Sequence, residues 1–157
     1  MARASDVELD PAEPLRAAAR RVVAARADDL AGIAPGAVGA SDPEALHDVR
    51  VAVRRLTSAL DVFADGLEEE PRRRARRILR RDAEPLGLAR DLDVQIALVR
   101  RFLKTARAGE QAGMAHVVEL LVTERAEAEA ELAPAIAALA DPAVQAALAE
   151  VSEVSAT

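Results

Sequence analysis

His47, Arg50 and Arg54 stand at i, i+3 and i+7, with Arg55 beside the last. At about 100° per residue they fall within roughly 60° of one another on a helix, with Arg55 on the flank. A guanidinium is a planar fork of donors that fits phosphate oxygens two at a time, and it stays charged at any cellular pH. A row of such groups suits a ligand that is itself a row of anions. An arginine-rich face is more often simply solvated, so this row alone decides little. A second basic stretch follows, with seven arginines among the ten residues Arg72–Arg81. Of these, Arg73, Arg77, Arg80 and Arg81 share a helical arc of about 100°, roughly opposite Ala75, Ile78 and Leu79. Such density repels itself unless an anion is present. Arg90 is placed to join the same surface.

The elements that must position these groups are helical. Ser41-Asp42-Pro43-Glu44 offers a cap, a proline for the first turn and a capping-box Glu, so a helix is predicted from there to about Leu67. Its apolar stripe is Leu46, Val49, Val53, Leu56, Leu60, Phe63 and Leu67, opposite the His/Arg row. Pro71 opens the next helix, which Pro85 and Gly87 are expected to break or kink. A fourth helix then starts at Arg90–Asp93 and reaches about Ala106. There Asp91 and Asp93 read as caps. As a two-carboxylate metal site they fit poorly, since residues two apart do not share a helix face.

The flanks complete the bundle. A first helix is expected from between Asp10 and Pro14 to about Ile33, followed by a loop over Ala34–Ala40. Ala108–Gly113 reads as a turn. Helix five then runs from about Met114 to Leu139, with Met114, Val118, Leu121, Ala128, Leu132, Ile136 and Leu139 on one side and glutamates on the other. Pro134 should bend or split it. Asp141-Pro142 starts a short last helix. The expectation is an all-α bundle of about six helices spanning residues 11–157 as a single domain, with residues 1–10 a flexible polar tail.

Composition agrees. Apolar residues make up 51% of the 157 but aromatics only 1%, so the core must be Ala, Leu, Val and Ile, a mixture that favours close-packed helices. The chain has no cysteine and no run of about 18 apolar residues, which points to a soluble, cytoplasmic protein with no membrane span. The net charge of −6 conceals a segregation: residues 47–107 hold fifteen Lys/Arg against ten Asp/Glu, while residues 108–157 hold one against nine. Local field decides anion binding, and the middle of the chain is basic.

The pattern H-x-x-R-V-x-x-R-R-L, carried by His47, Arg50, Val51, Arg54, Arg55 and Leu56, is followed by L-G-x-x-R-D-x-D-V at Leu86, Gly87, Arg90, Asp91, Asp93 and Val94. The pair resembles the first half of a CHAD domain, an all-α family named for its histidines and associated with binding inorganic polyphosphate. The resemblance spans about Pro14 to Val151. It departs where the family's basic run is usually extended, since Thr57 follows Leu56 here, and the family's second half is not visible. It implies polyphosphate as the ligand, held by His47, Arg50, Arg54, Arg55 and Arg90 of the matching motifs; the basic stretch between the motifs adds Arg73, Arg77, Arg80 and Arg81 to the expected binding surface.

Nucleic acid ranks second, because base recognition draws on aromatic stacking and the chain has no Trp or Tyr; Phe63 and Phe102 are expected on apolar faces. A structural adaptor, its arginines paired to the acidic fifth helix, ranks third. Catalysis is not expected. There is no GxxxxGK[ST] loop, no HExxH and no Cys, and His47 has no acid evidently placed to assist phosphoryl transfer; no cofactor or metal is implied. Two like halves joined in one chain are what the family resemblance implies, so a chain supplying one half is expected to self-associate. Helix five and helix two offer the apolar faces for a homodimer.

Overall fold

Leu, Val and Ala at every third or fourth position give each long stretch of this chain one face to bury. The computed structural model describes residues 4–38 and 43–153. Among them stand α1 (Leu15–Ala37), α2 (Pro43–Val62), α3 (Glu69–Leu103), α4 (Ala108–Ala140) and α5 (Pro142–Ala149), with 3-10 turns at Ala64–Gly66 and Glu150–Ser152. No strand occurs among the described residues, and the all-α bundle is as expected. The Ser41–Asp42 cap lies outside the described residues.

The chain folds as two long hairpins, α1 on α2 and α3 on α4, with α5 turned back onto α1 and α3. Their inner faces make one core. Val23, Leu30, Val49, Leu56, Leu60, Leu79, Leu86, Ile136, Leu139 and Leu148 are sealed within it. The stripes expected on α2 and on the later half of helix five are both spent here: Val49, Val53, Leu56 and Leu60 from one, Ala128, Leu132, Ile136 and Leu139 from the other. Asp141 caps α5, its carboxylate accepting from the Ala143 N–H at 2.7 Å. Before α1, the chain lies along that helix. Ser5 Oγ donates to Asp29 at 2.5 Å, and Arg26 reaches both Asp29 (2.7 Å) and the Ser5 carbonyl (2.9 Å). Burial works to raise the Asp29 pKa, but the hydrogen bonds from Ser5 and Arg26 prevail and hold it below the ordinary value.

Several boundaries fall elsewhere than predicted. Helices three and four are one, α3, passing through Pro85 and Gly87, so among the described residues five α-helices stand where about six were expected. A proline inside a helix costs about 3 kcal/mol. The buried face, however, keeps its phase across it, through Ala75, Leu79, Asp82, Leu86, Ala89, Leu92 and Ile96, and packing against α4 outweighs the local loss. Asp91 and Asp93 consequently sit mid-helix and cap nothing. For the same reason α1 continues through Pro35 and Gly36 to Ala37, and α4 begins at Ala108 and runs on through Pro134.

At the end of α2 the difference has a steric cause. The helix stops at Val62 instead of Leu67, and the chain turns through the buried Gly66 against α1. A Cβ on Gly66 would lie 2.8 Å from Ala19 Cβ and 3.1 Å from the Leu15 carbonyl. That close approach ties the α2–α3 corner to α1.

The face assignment for α2 is testable on Leu60, which is fully buried. Leu60→Ala should lower stability by about 2–5 kcal/mol in chemical denaturation, as core truncations do. Loss below about 1 kcal/mol would mean that this face is not the core.

Candidate functional site

With α2 folded onto α1 by its apolar stripe, its His/Arg row is turned toward α3. The short corner at Gly66 makes α2 and α3 run antiparallel, so residues early in α2 meet residues in the middle of α3. The two helices do not close fully on each other. At the upper end lies a cleft of about 440 Å³, lined by His47 and Arg50 of α2, Leu86, Arg90 and Asp93 of α3, and Arg125 and Glu129 of α4. It runs into a narrower space of about 210 Å³ between Arg50, Arg54, Ala83 and Gly87. One turn further along, Thr57 faces Arg72, Arg73, Arg76, Arg77 and Arg80 across a recess of about 560 Å³.

Most of the expected site residues thus share this seam, while two do not. Arg55 points to the other side of α2, sharing a shallow hollow with Val22, Arg26 and Phe63 at the α1 face; Arg54 stands on the crest between the two. Arg81 is turned away onto Asp82, donating to both its oxygens at 2.5 and 2.8 Å. The Asp82 carboxylate is only 6% exposed, so a cation is needed beside it, and Arg81 meets that need.

The charges along the seam are mostly uncompensated. Arg73 pairs with Glu69 at 2.5 Å and Arg76 with Asp61 at 3.1 Å. Among the described residues, Arg50, Arg54, Arg77, Arg80 and Arg90 have no carboxylate within ion-pair distance. Burial pushes the Arg50 pKa down, the charges of Arg90 and Arg54 add to this, and Asp91 and Asp93 oppose it. Cations so close together destabilise one another unless an anion comes between them.

Arg125 was missed by sequence reasoning. It is 20% exposed at the head of the cleft and donates to Asp93 at 2.9 Å and to Glu129 at 2.6 Å. Burial works against its charge, but these hydrogen bonds prevail and raise its pKa. Its signal was present: an Arg breaks the apolar stripe of helix five between Leu121 and Ala128. Arg72 and Arg76 were likewise passed over. His116 pairs with its neighbour Glu119 at 3.7 Å, far from the seam. Among the described residues no three His, Asp or Glu side chains gather so as to hold a metal ion.

Fold and site together define an all-α bundle with an arginine-lined seam between two helix hairpins. The family model for the CHAD domain matches residues 13–156, nearly the whole chain, and the protein belongs to that family. Comparison with curated proteins returned no match.

Gly87 forms part of the seam's floor, and a Cβ there would meet nothing within 4 Å. Gly87→Ala should therefore raise stability by up to about 1 kcal/mol through helix propensity alone. Gly87→Phe should keep the fold and fill the narrow part of the seam. A cooperative thermal melt for both variants is the expected result, and a collapse of Gly87→Ala would show that this side of α3 is packed, not open.

Proposed function

We propose that this protein binds inorganic polyphosphate along the α2/α3 seam, as a binding module and not as a catalyst, in the cytoplasm. One observation carries the reading: arginines from two antiparallel helices line successive openings along one seam, and five of them, Arg50, Arg54, Arg77, Arg80 and Arg90, lack carboxylate partners among the described residues. From Arg73 to Arg90 the α3 side of the track is about 25 Å long at 1.5 Å per residue. A single phosphate would leave most of it empty, whereas an extended polyanion can engage both walls at once. His47 stands at one end, where a ring N–H can donate to a bound anion.

The adaptor reading loses ground because, among the described residues, no seam arginine pairs with a glutamate of α4; the ion pair that joins the two helices runs the other way, from Arg125 of α4 to Asp93 of α3. The nucleic-acid reading keeps one point in its favour. Phe102 does lie on an apolar face, as expected, but that face is uncovered there: Phe102 is 56% exposed, and Arg101 is its neighbour. It lies three turns beyond Arg90, past the end of the seam, and it is one aromatic where base stacking normally uses several. No single helix among the described residues is long and apolar enough to cross a membrane.

Titration with long-chain polyphosphate, single-stranded DNA and duplex DNA, at about 50 and 200 mM salt, tests the reading. Polyphosphate affinity should fall roughly a hundredfold or more between the two conditions, as counterion release by about six cations requires. Arg50→Ala, Arg54→Ala and Arg77→Ala should each weaken it about tenfold with the melt unchanged, and Arg101→Ala should not. Binding that is flat with salt, or DNA bound more tightly through Phe102 and Arg101, would overturn it.

A further inference from the structure

The α3/α4 hairpin is longer than the α1/α2 hairpin that covers it. Helices of 35 and 33 residues span about 50 Å, against about 30–35 Å for helices of 20 and 23 residues. The core accordingly takes nothing from α3 beyond Leu92, although Ile96 is still buried against α4. Past that point Val94, Leu98 and Phe102, spaced i, i+4 and i+8, are each about half exposed. They lie within about 80° on one side of α3, the side that carries Gly87 and, further back, faces α2. The apolar faces of α2 and of the later part of helix five, expected from the sequence to be free for self-association, are inside the core, whereas this stripe is left uncovered.

The projection also divides its charge. Arg100, Arg101, Lys104 and Arg107 crowd its tip, with no Asp or Glu between Val94 and Arg107. Among the described residues none of the four forms an ion pair, and neither does Glu124 on α4. Asp91 lies on the same side of α3 as the stripe and one turn before Val94.

We infer that the Val94–Leu98–Phe102 face is covered by a second copy of this chain, α3 against α3 in antiparallel order about a two-fold axis near Leu98. Only that order satisfies both observations at once. It lays Phe102 of each copy on Val94 of the other, burying the stripe on itself. It also brings each basic tip back alongside the Asp91 and Glu124 region of its partner, whereas parallel packing would set tip against tip. The argument uses no bound anion, so it stands or falls separately from the polyphosphate reading.

The experiment is sedimentation equilibrium at micromolar concentration, joined to cross-linking. The native chain should have twice the 16.6 kDa mass of the single chain. Leu98→Glu puts two like charges at the axis, and it should sediment as a monomer with helix content and polyphosphate binding retained. Because the chain has no cysteine, Leu98→Cys should be cross-linked to a dimer by a short bis-maleimide. Val62→Cys, at a site 76% exposed on α2, should not. A native monomer across that range, or a dimer indifferent to Leu98→Glu and uncross-linked at Leu98→Cys, overturns the inference. So does a monomer that co-sediments with phosphatidylcholine vesicles, which would assign the face to a membrane.

Discussion

Burial of one stripe, Val49–Val53–Leu56–Leu60, is the constraint on which the rest of this structure depends. Once those four side chains are sealed against α1 and the core, the helix that carries them has no freedom to rotate. Arg50 and Arg54 must then face α3, whatever the electrostatic cost. The cost is set by the other wall, where Ala75, Leu79 and Leu86 fix α3 in the same way and leave Arg77, Arg80 and Arg90 across the opening. Hydrophobic burial at about 25 cal/mol per Å² holds like charges together that would otherwise separate. The core thus holds these arginines where a bound anion would relieve their repulsion.

The seam is also kept from closing. Opposite Arg54 the α3 wall is only Ala83 and Gly87, too small to fill the gap, and the Gly66 corner is itself held against Leu15 and Ala19 of α1. The upper end is different in character. There Arg125 is locked between Asp93 and Glu129, so carboxylates enter the cleft together with their own cation. The favourable part of the track for an anion runs from Arg50 toward Arg77.

The sequence made the stripes legible because burial depends on period, and period survives in a single chain. It made Arg50, Arg54, Arg77 and Arg80 readable as turned away from the stripes, while Arg90 was readable only as a neighbour of that basic surface. What it obscured were the ends. Pro85 and Gly87 are local breakers, and their effect was overruled by contacts with α4 that no local rule contains; only the unbroken phase from Leu79 to Ile96 could have disclosed a single helix. Arg81 and Arg55 were misplaced because angle alone does not say what a side chain meets. Arg81 meets a buried carboxylate and Arg55 faces α1. Phe102 continues a sound apolar face, but α3 outruns its cover there.

The central claim is that the two arginine walls share one extended anion. Diffraction from crystals grown with a short linear polyphosphate tests it most directly. Density should run lengthwise between α2 and α3, within hydrogen-bonding distance of Arg50 and Arg54 on one side and of Arg77 or Arg80 on the other. A chain bound instead at the Arg100–Arg107 tip, or contacting only one of the two walls, would contradict the account.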